Sequence, residues 1–136
     1  MGLHCDIPDS AVLTFGRGLP GLDAHEFVIL KPDGLEPIVL LQSVDNPHIG
    51  LPAIPCRSVI AGYEVQLDED DRAELAIGDQ DDEPSLLYLA VLLMGNDSGP
   101  YCNMAAPIVI NARNNRGCQV AGVDSPYATL HPLSGS

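Results

Sequence analysis

The chain has 136 residues, 46 % of them apolar, which suits one globular domain over residues 1–136 and is too apolar for a disordered chain. Nineteen Asp and Glu residues against six Lys and Arg give a net charge of −13, which excludes direct binding of nucleic acid through a basic face. The longest apolar run, Leu86–Met94, is far shorter than the roughly 20 residues that cross a bilayer.

Turn-forming residues recur about every 8–12 positions, and the segments between them are short and rich in Val, Ile, Leu and Tyr. This spacing predicts an all-β domain, a compact antiparallel barrel-like or sandwich fold. The predicted strands are Val12–Phe15, Phe27–Leu30, Ile38–Ser43, Ile49–Ile54, Glu64–Leu67, Leu86–Met94, Tyr101–Met104, Ile108–Asn111 and Gln119–Val123. One short helix is predicted over 68–77, because Asp68 can cap it and acidic residues fill its first turn.

Two sequence patterns suggest a ligand without meeting its requirements. The turn Gly16–Gly21 has the spacing of a dinucleotide-binding loop, but Pro20 interrupts it and a strand is predicted where that loop needs a helix. We therefore interpret it as a glycine-rich turn. The acidic runs beginning at Asp68 and Asp79 lack the glycine of an EF-hand loop at the required position. No cofactor or metal is predicted, and a calcium-dependent binding module remains an alternative.

The four cysteines and four histidines form no pattern typical of a zinc site or a catalytic motif. The first ten residues do not show the basic and apolar regions of a secretory signal, so we expect a cytoplasmic protein with free thiols. The prediction is a protein that is not an enzyme. A small hydrolase that uses a Cys–His pair formed through space is the alternative.

Negative charge is concentrated in one part of the chain. Between Glu64 and Glu83 there are ten acidic residues and one arginine, whereas one acidic residue and two arginines follow Pro100. Such asymmetry indicates a surface that faces a cationic partner, with a merely solvated face as the alternative. Self-repulsion at this charge favours a monomer when the protein is free. The carboxylates predicted to face the partner are those of Asp68, Asp70, Asp71 and Asp82.

The segment Asn103–Asn111 places Pro107 at the start of an apolar strand. Because proline cannot donate to a sheet ladder, the strand is either an edge strand that a partner can extend or a core strand entered through a kinked turn. In the first case the segment supplies the neutral centre of a protein-binding surface. The predicted contact residues are Asn103, Met104, Ala106, Pro107, Ile108 and Asn111.

Ordered blocks along nearly the whole chain carry a family resemblance. They are Leu13–Phe15, Gly18–Gly21, Phe27–Leu30, Leu41–Val44 with Pro47, Asn103 with Ala106–Asn111, and His131–Leu133. The ordered set, with its Ala-Pro-Ile-Val-Ile-Asn block intact, resembles the family of the flagellar assembly factor FliW, a small bacterial cytoplasmic protein.

The resemblance implies a compact antiparallel β-barrel-like fold and a function by protein binding. Proteins similar to this one bind the translational regulator CsrA, a small basic RNA-binding dimer, and relieve its repression of flagellin mRNA. They also bind flagellin, which competes with CsrA and holds the factor until flagellin is exported. The expected partners are therefore CsrA and flagellin, with no direct contact to nucleic acid or membrane. An acidic mimic of RNA that occludes the RNA site of the regulator is the alternative mechanism.

Overall fold

Short strands joined by tight turns dominate the structure, a computed structural model that describes residues 11–19, 22, 24–77, 86–94, 100–121 and 125–133. The strands are β1 (Val12–Thr14), β2 (Glu26–Leu30), β3 (Val39–Ser43), β4 (Gly50–Pro55), β5 (Leu86–Met94), β6 (Pro100–Cys102), β7 (Ile108–Asn111), β8 (Arg116–Gln119) and β9 (His131–Pro132). The helices are α1 (Cys56–Val59) and α2 (Glu69–Glu74). Among the described residues, no helix is long and apolar enough to cross a membrane.

Seven of the strands close into a barrel. Antiparallel pairing joins β4, β3, β2 and β1 in that order, and a parallel contact joins β1 to β8. The wall then runs through β8, β7 and β5, and β5 pairs with β4 to complete the circle. Strands β6 and β9 extend from the far end of β5 as a small antiparallel sheet. The predicted all-β, barrel-like fold is confirmed.

The barrel interior is filled by apolar side chains that alternate along the strands. Phe15 and Phe27 pack edge to face in its centre, with ring centroids 5.5 Å apart and planes at 83°. Gly117 on β8 makes room for the Phe15 ring, because a Cβ at that position would lie 2.7 Å from it. A side chain at position 117 would therefore compete with Phe15 for the same volume.

A second layer covers the outer faces of β5, β7 and β8. Residues 56–77 supply Tyr63, whose hydroxyl donates a 2.6 Å hydrogen bond to the Met104 carbonyl oxygen beneath it. Leu75 and Ile77, which follow α2, pack on Val109 of β7 and on β8. Residues 125–133 contribute further side chains to this layer. The barrel wall is thus apolar on both sides over this half of its circumference.

Of the two interpretations left open for the segment after Pro107, the edge strand is wrong and the core strand is confirmed. Strand β7 lies between β5 and β8, and all four of its residues are buried. Pro107 immediately precedes the strand, where a missing N–H interrupts no ladder. Its carbonyl oxygen still accepts a 2.9 Å bond from the amide of Val120.

Most other boundaries agree within a few residues, with informative exceptions. Glu64–Leu67 is extended but pairs with no strand among the described residues, so the predicted strand is wrong. The strand predicted at Gln119–Val123 occupies Arg116–Gln119 instead, and residues 122–123 lie outside the described part. Helix α1 and strand β9 were not predicted from the sequence. The predicted helix exists, but it ends at Glu74 rather than at residue 77.

The glycine-rich turn is confirmed for the part that is described. Gly18 has a φ of 67°, in the left-handed region that glycine adopts without steric cost. After this turn the next element of the chain is strand β2 and not a helix. The geometry that a pyrophosphate site requires, a helix N-terminus directly after the loop, is therefore missing from the described residues here.

Replacing Gly117 by Ala is expected to destabilise the fold by about 1–3 kcal/mol, because the new methyl group overlaps the enclosed Phe15 ring. Denaturant unfolding followed by circular dichroism measures the change. Gly62→Ala is the matched control, since its Cβ would meet nothing within 4 Å. We expect the control to stay within about 0.5 kcal/mol of the parent. Equal stability of the two variants would contradict this account of the barrel interior.

Candidate functional site

A groove of about 650 Å³ opens in the second layer, between the segment that leads into α2 and the segment that follows β8. Residues 64–68 and Asp71 line one side of it. Residues 120–121 and 125–127 line the other, and the buried Ala105 also contributes. The groove is therefore assembled from four separate stretches of the chain.

Residues 64–68 form an extended wall in which exposed and half-buried side chains alternate. Val65 and Leu67 turn inward and pack on the outer layer, whereas Glu64 and Asp68 are exposed. The Glu64 amide donates a 3.3 Å hydrogen bond to the hydroxyl of Tyr127 across the groove. The alternation that resembled a strand thus reflects an extended segment facing a core rather than a paired one.

The N-terminus of α2 brings two carboxylates into this wall. The Asp68 side chain accepts a 2.8 Å bond from the amide of Asp71, and the Asp71 side chain accepts a 3.3 Å bond from the amide of Asp68. This reciprocal capping box satisfies two amides that the helix cannot pair itself. Glu69 and Asp70 occupy the remaining first-turn positions, where the helix dipole favours negative charge.

Asp71 also forms an ion pair with the glycine-rich turn. A guanidinium nitrogen of Arg17 donates to the Asp71 Oδ1 atom at 3.1 Å, and this bond raises the pKa of Arg17. The side chain of Asp71 is 7 % exposed and that of Arg17 is 45 % exposed. Since Arg17 compensates the buried charge, the outward-facing charge of the lining belongs to Glu64 and Asp68.

The C-terminus of α2 is held by the β7–β8 hairpin. Asn111 and Asn114 both donate to the Leu75 carbonyl oxygen, at 2.9 and 3.1 Å, and Arg116 donates to the Glu74 carbonyl oxygen at 2.7 Å. These bonds satisfy carbonyls that the end of a helix leaves free. Ala76 then adopts a left-handed φ of 54°, which ends the helix earlier than predicted.

The structure brings some of the predicted contact residues together and buries others. Asp68 and Asp71 line the groove, Asp70 is exposed on α2, and Asp82 lies outside the described residues. Asn103 and Ala106 are half-buried on either side of the groove residue Ala105. The four that are buried are Met104, Pro107, Ile108 and Asn111.

Asn103 shapes the turn beside the groove rather than presenting a free amide oxygen. That oxygen accepts bonds from the amides of Ala105 and Ala106, both at 3.1 Å. The apolar lining residues Val120 and Tyr127 escaped sequence analysis, because nothing in their local pattern distinguishes a groove from a core. Val65 and Leu67 stood in the predicted strand, and their alternation was the one available signal.

The described thiols are poorly suited to nucleophilic chemistry. Burial raises the pKa of Cys56 to about 12 and that of Cys118 to about 11, and it also raises the pKa of Cys102. A thiol acts as a nucleophile only as the thiolate, which these environments disfavour at neutral pH. The imidazole of His25 contacts the backbone, with its Nδ1 atom 3.1 Å from the Phe15 carbonyl oxygen. Across the described ranges, no group of three or more His, Cys, Asp or Glu side chains is placed to hold a metal ion.

Comparison with known proteins gives a consistent result. The family model described as FliW protein matches residues 3–133. The flagellar assembly factor FliW of Geobacillus kaustophilus is 35 % identical over 130 residues, which cover 94 % of this chain and 88 % of that protein. That of Caldanaerobacter subterraneus is 33 % identical over 124 residues, covering 90 % and 81 %. A crystal structure of the flagellar assembly factor FliW superposes with a TM-score of 0.77 at 31 % identity, covering 93 % of this chain and 88 % of that one.

Asp71→Ala is expected to lower the free energy of unfolding by about 1–3 kcal/mol, because it removes the capping-box carboxylate that accepts from the Asp68 amide and leaves Arg17 without its ion-pair partner. Thermal and urea unfolding measure the loss. Asp70→Ala removes the same charge from an exposed position on the same helix and serves as the control. A loss for Asp70→Ala equal to that for Asp71→Ala would show that charge, rather than the cap and the ion pair, decides stability.

Proposed function

The chain belongs to the FliW family of flagellar assembly factors, and on this basis we propose that it works in the cytoplasm, without catalysis, by binding two proteins in turn. One is the translational regulator CsrA, whose repression of flagellin mRNA is relieved when the factor holds it. The other is flagellin, which occupies the factor until export removes it. Synthesis of flagellin is then matched to its export.

The observation that carries the proposal is the acidic groove with its apolar lining. Five of the eight residues from Glu64 to Asp71 are acidic, and Arg17 compensates one of them. A basic protein such as CsrA is attracted by this field, which raises the association rate and weakens as salt is added. The charge therefore favours a cationic partner and disfavours direct contact with RNA.

Exposed charges contribute little net affinity, so the apolar lining must supply most of it. Val65, Leu67 and Tyr127 are half-buried and line the groove, together with the buried Val120. A partner segment that places an apolar side chain between them, with Lys or Arg on its flanks, would satisfy both features. The half-buried Tyr127 is the aromatic residue best placed to anchor such a segment.

Competition between the partners follows if both use this groove. A site of about 650 Å³ accommodates one inserted segment at a time, so occupancy depends on the relative concentrations and affinities of CsrA and flagellin. Under this mechanism flagellin regulates its own translation without contacting CsrA. Release of flagellin from the groove is the event that frees the factor for the regulator.

Electrostatic attraction of CsrA by the groove is tested with the triple variant Glu64→Gln, Glu69→Gln and Asp70→Asn. This variant leaves the capping pair Asp68 and Asp71 intact. Its association with CsrA is expected to slow by about tenfold at low salt, because the attractive field near the groove is weakened. The salt dependence should flatten correspondingly. Stopped-flow fluorescence at several ionic strengths measures both quantities.

The matched control removes the same number of charges from another part of the barrel, through Asp33→Asn, Glu36→Gln and Asp45→Asn. These residues lie in the loops that flank β3. The control should retain most of the rate and of the salt slope for CsrA, because its three charges border the outer face of β1–β4 and not the groove. If the groove variant associates as fast as the parent, or if the control is slowed equally, groove steering is wrong.

Use of the same groove by CsrA and flagellin is tested with Ala121→Arg, which adds a large cation to an exposed lining position. Because the new side chain blocks the groove, we expect the affinities for CsrA and for flagellin to fall together, each by about tenfold or more. Isothermal titration with each partner measures the change. His48→Arg adds the same group to the exposed β3–β4 turn and should leave both affinities unchanged. A loss confined to one partner would contradict a common site.

A further inference from the structure

The outer face of β1–β4 presents a continuous apolar area. Register places Val12 opposite Val28, Leu30 opposite Leu40, and Leu40 opposite Pro52. All five side chains belong to the face that alternates with the buried positions of these strands. Val12 and Leu30 are each 43 % exposed, which is high for branched aliphatic side chains.

A polar side chain, that of Gln42, lies next to Leu40 on this face. Gln42, the neighbouring outward residue of β3, lies along the β3–β4 turn and donates to the Ile49 carbonyl oxygen at 3.0 Å. Gly50, its cross-strand partner, has no side chain. The side chains of Leu40 and Gln42 lie over Gly50, since a Cβ there would be 3.4 Å from Leu40 Cδ1 and 3.2 Å from Gln42 Oε1.

The two halves of the barrel wall differ in what covers them. Residues 56–77 and 125–133 pack on the outer faces of β5, β7 and β8, as described above. Within the described residues, no buried cluster forms on the outer face of β1–β4. Contiguous apolar area left on a protein surface is typical of a protein-binding site.

The charges around this face restrict what can bind there. Glu26 lies on the same face of β2, Asp33 and Glu36 lie in the loop after Leu30, and Asp45 follows β3. Lys31 is the one Lys or Arg between residues 24 and 52. An apolar centre with carboxylates at both ends matches a partner that is apolar in the middle and basic at its edges.

We propose that the outer face of β1–β4 is a second docking surface, separate from the groove, for an amphipathic helix of a partner protein with Lys or Arg beside its apolar stripe. A helix is favoured because it can lay an apolar stripe along a barrel wall without needing a free sheet edge. A second copy of the chain is disfavoured, because it would bring Glu26, Asp33, Glu36 and Asp45 against the same carboxylates. This surface does not depend on the function proposed for the groove.

The test uses a synthetic amphipathic helix of about 20 residues made of Leu and Lys, long enough to be helical when bound. Titration into ¹⁵N-labelled protein should shift the amide signals of β1–β4. A peptide with the same Leu pattern but Glu in place of Lys should bind at least about tenfold more weakly. Shifts confined to residues 64–71 and 120–127 would overturn the proposal, as would the absence of any shift.

The double variant Val28→Thr and Leu30→Thr removes apolar area and places threonine, a β-branched residue that suits a strand, at both positions. The double variant should raise the Kd for the Leu–Lys peptide by about tenfold. The groove variant Glu64→Gln, Glu69→Gln and Asp70→Asn should still bind the peptide on the outer face of β1–β4. Light scattering of the parent protein provides the other readout. A dimer that dissociates in the double variant would mean that a second copy occupies the face, and it would overturn the proposed partner.

Discussion

The structure depends on burial of β5 from both sides. Leu87, Leu89 and Val91 face the barrel interior, whereas Tyr88 and Ala90 face the outer layer. The same strand pairs with β7 at its start, with β4 in its middle and with β6 at its end. A strand buried on both faces loses the polar alternation of an exposed one and becomes a continuous apolar run. The long apolar segment of the sequence is therefore the element that joins the barrel to the layer containing the groove.

Sequence patterns predicted those strands of this fold whose limits are set by neighbouring residues in the chain. The bounds of Leu86–Met94 and Ile108–Asn111 are confirmed, because each is a short apolar run with turn formers before and after it. The groove is different, since its walls come from positions as distant as 64 and 127, and only tertiary packing brings them together. Asn111 illustrates the same limit: a polar residue at a strand end suggested surface contact, but its amide is buried against the Leu75 carbonyl oxygen. Local pattern cannot distinguish a buried helix cap from an exposed contact.

Acidic residues of the groove wall combine structural and electrostatic roles. Asp68 and Asp71 cap α2, and Asp71 in addition holds the glycine-rich turn through Arg17. The start of a helix is a position where carboxylates are favourable, so this segment accumulates negative charge at little cost in stability. Glu64, Glu69 and Asp70 are exposed beside them. The charge that would attract a cationic partner under the proposed function is thus concentrated where the helix tolerates it, and the capping pair fixes its position relative to the barrel.

Under the proposed function, two separate surfaces would change how the two partners exchange. When two proteins compete for one groove, binding of either excludes the other by overlap, and no conformational change is needed. A protein that docks on the β1–β4 face instead would leave the groove accessible, and any effect on groove binding would require a coupling free energy transmitted through the barrel. Overlap in the groove needs no second arrangement of the closely packed interior around Phe15 and Gly117. Mutual exclusion is therefore the simpler mechanism for partners that share the groove, whereas a partner on the outer face would add to the complex.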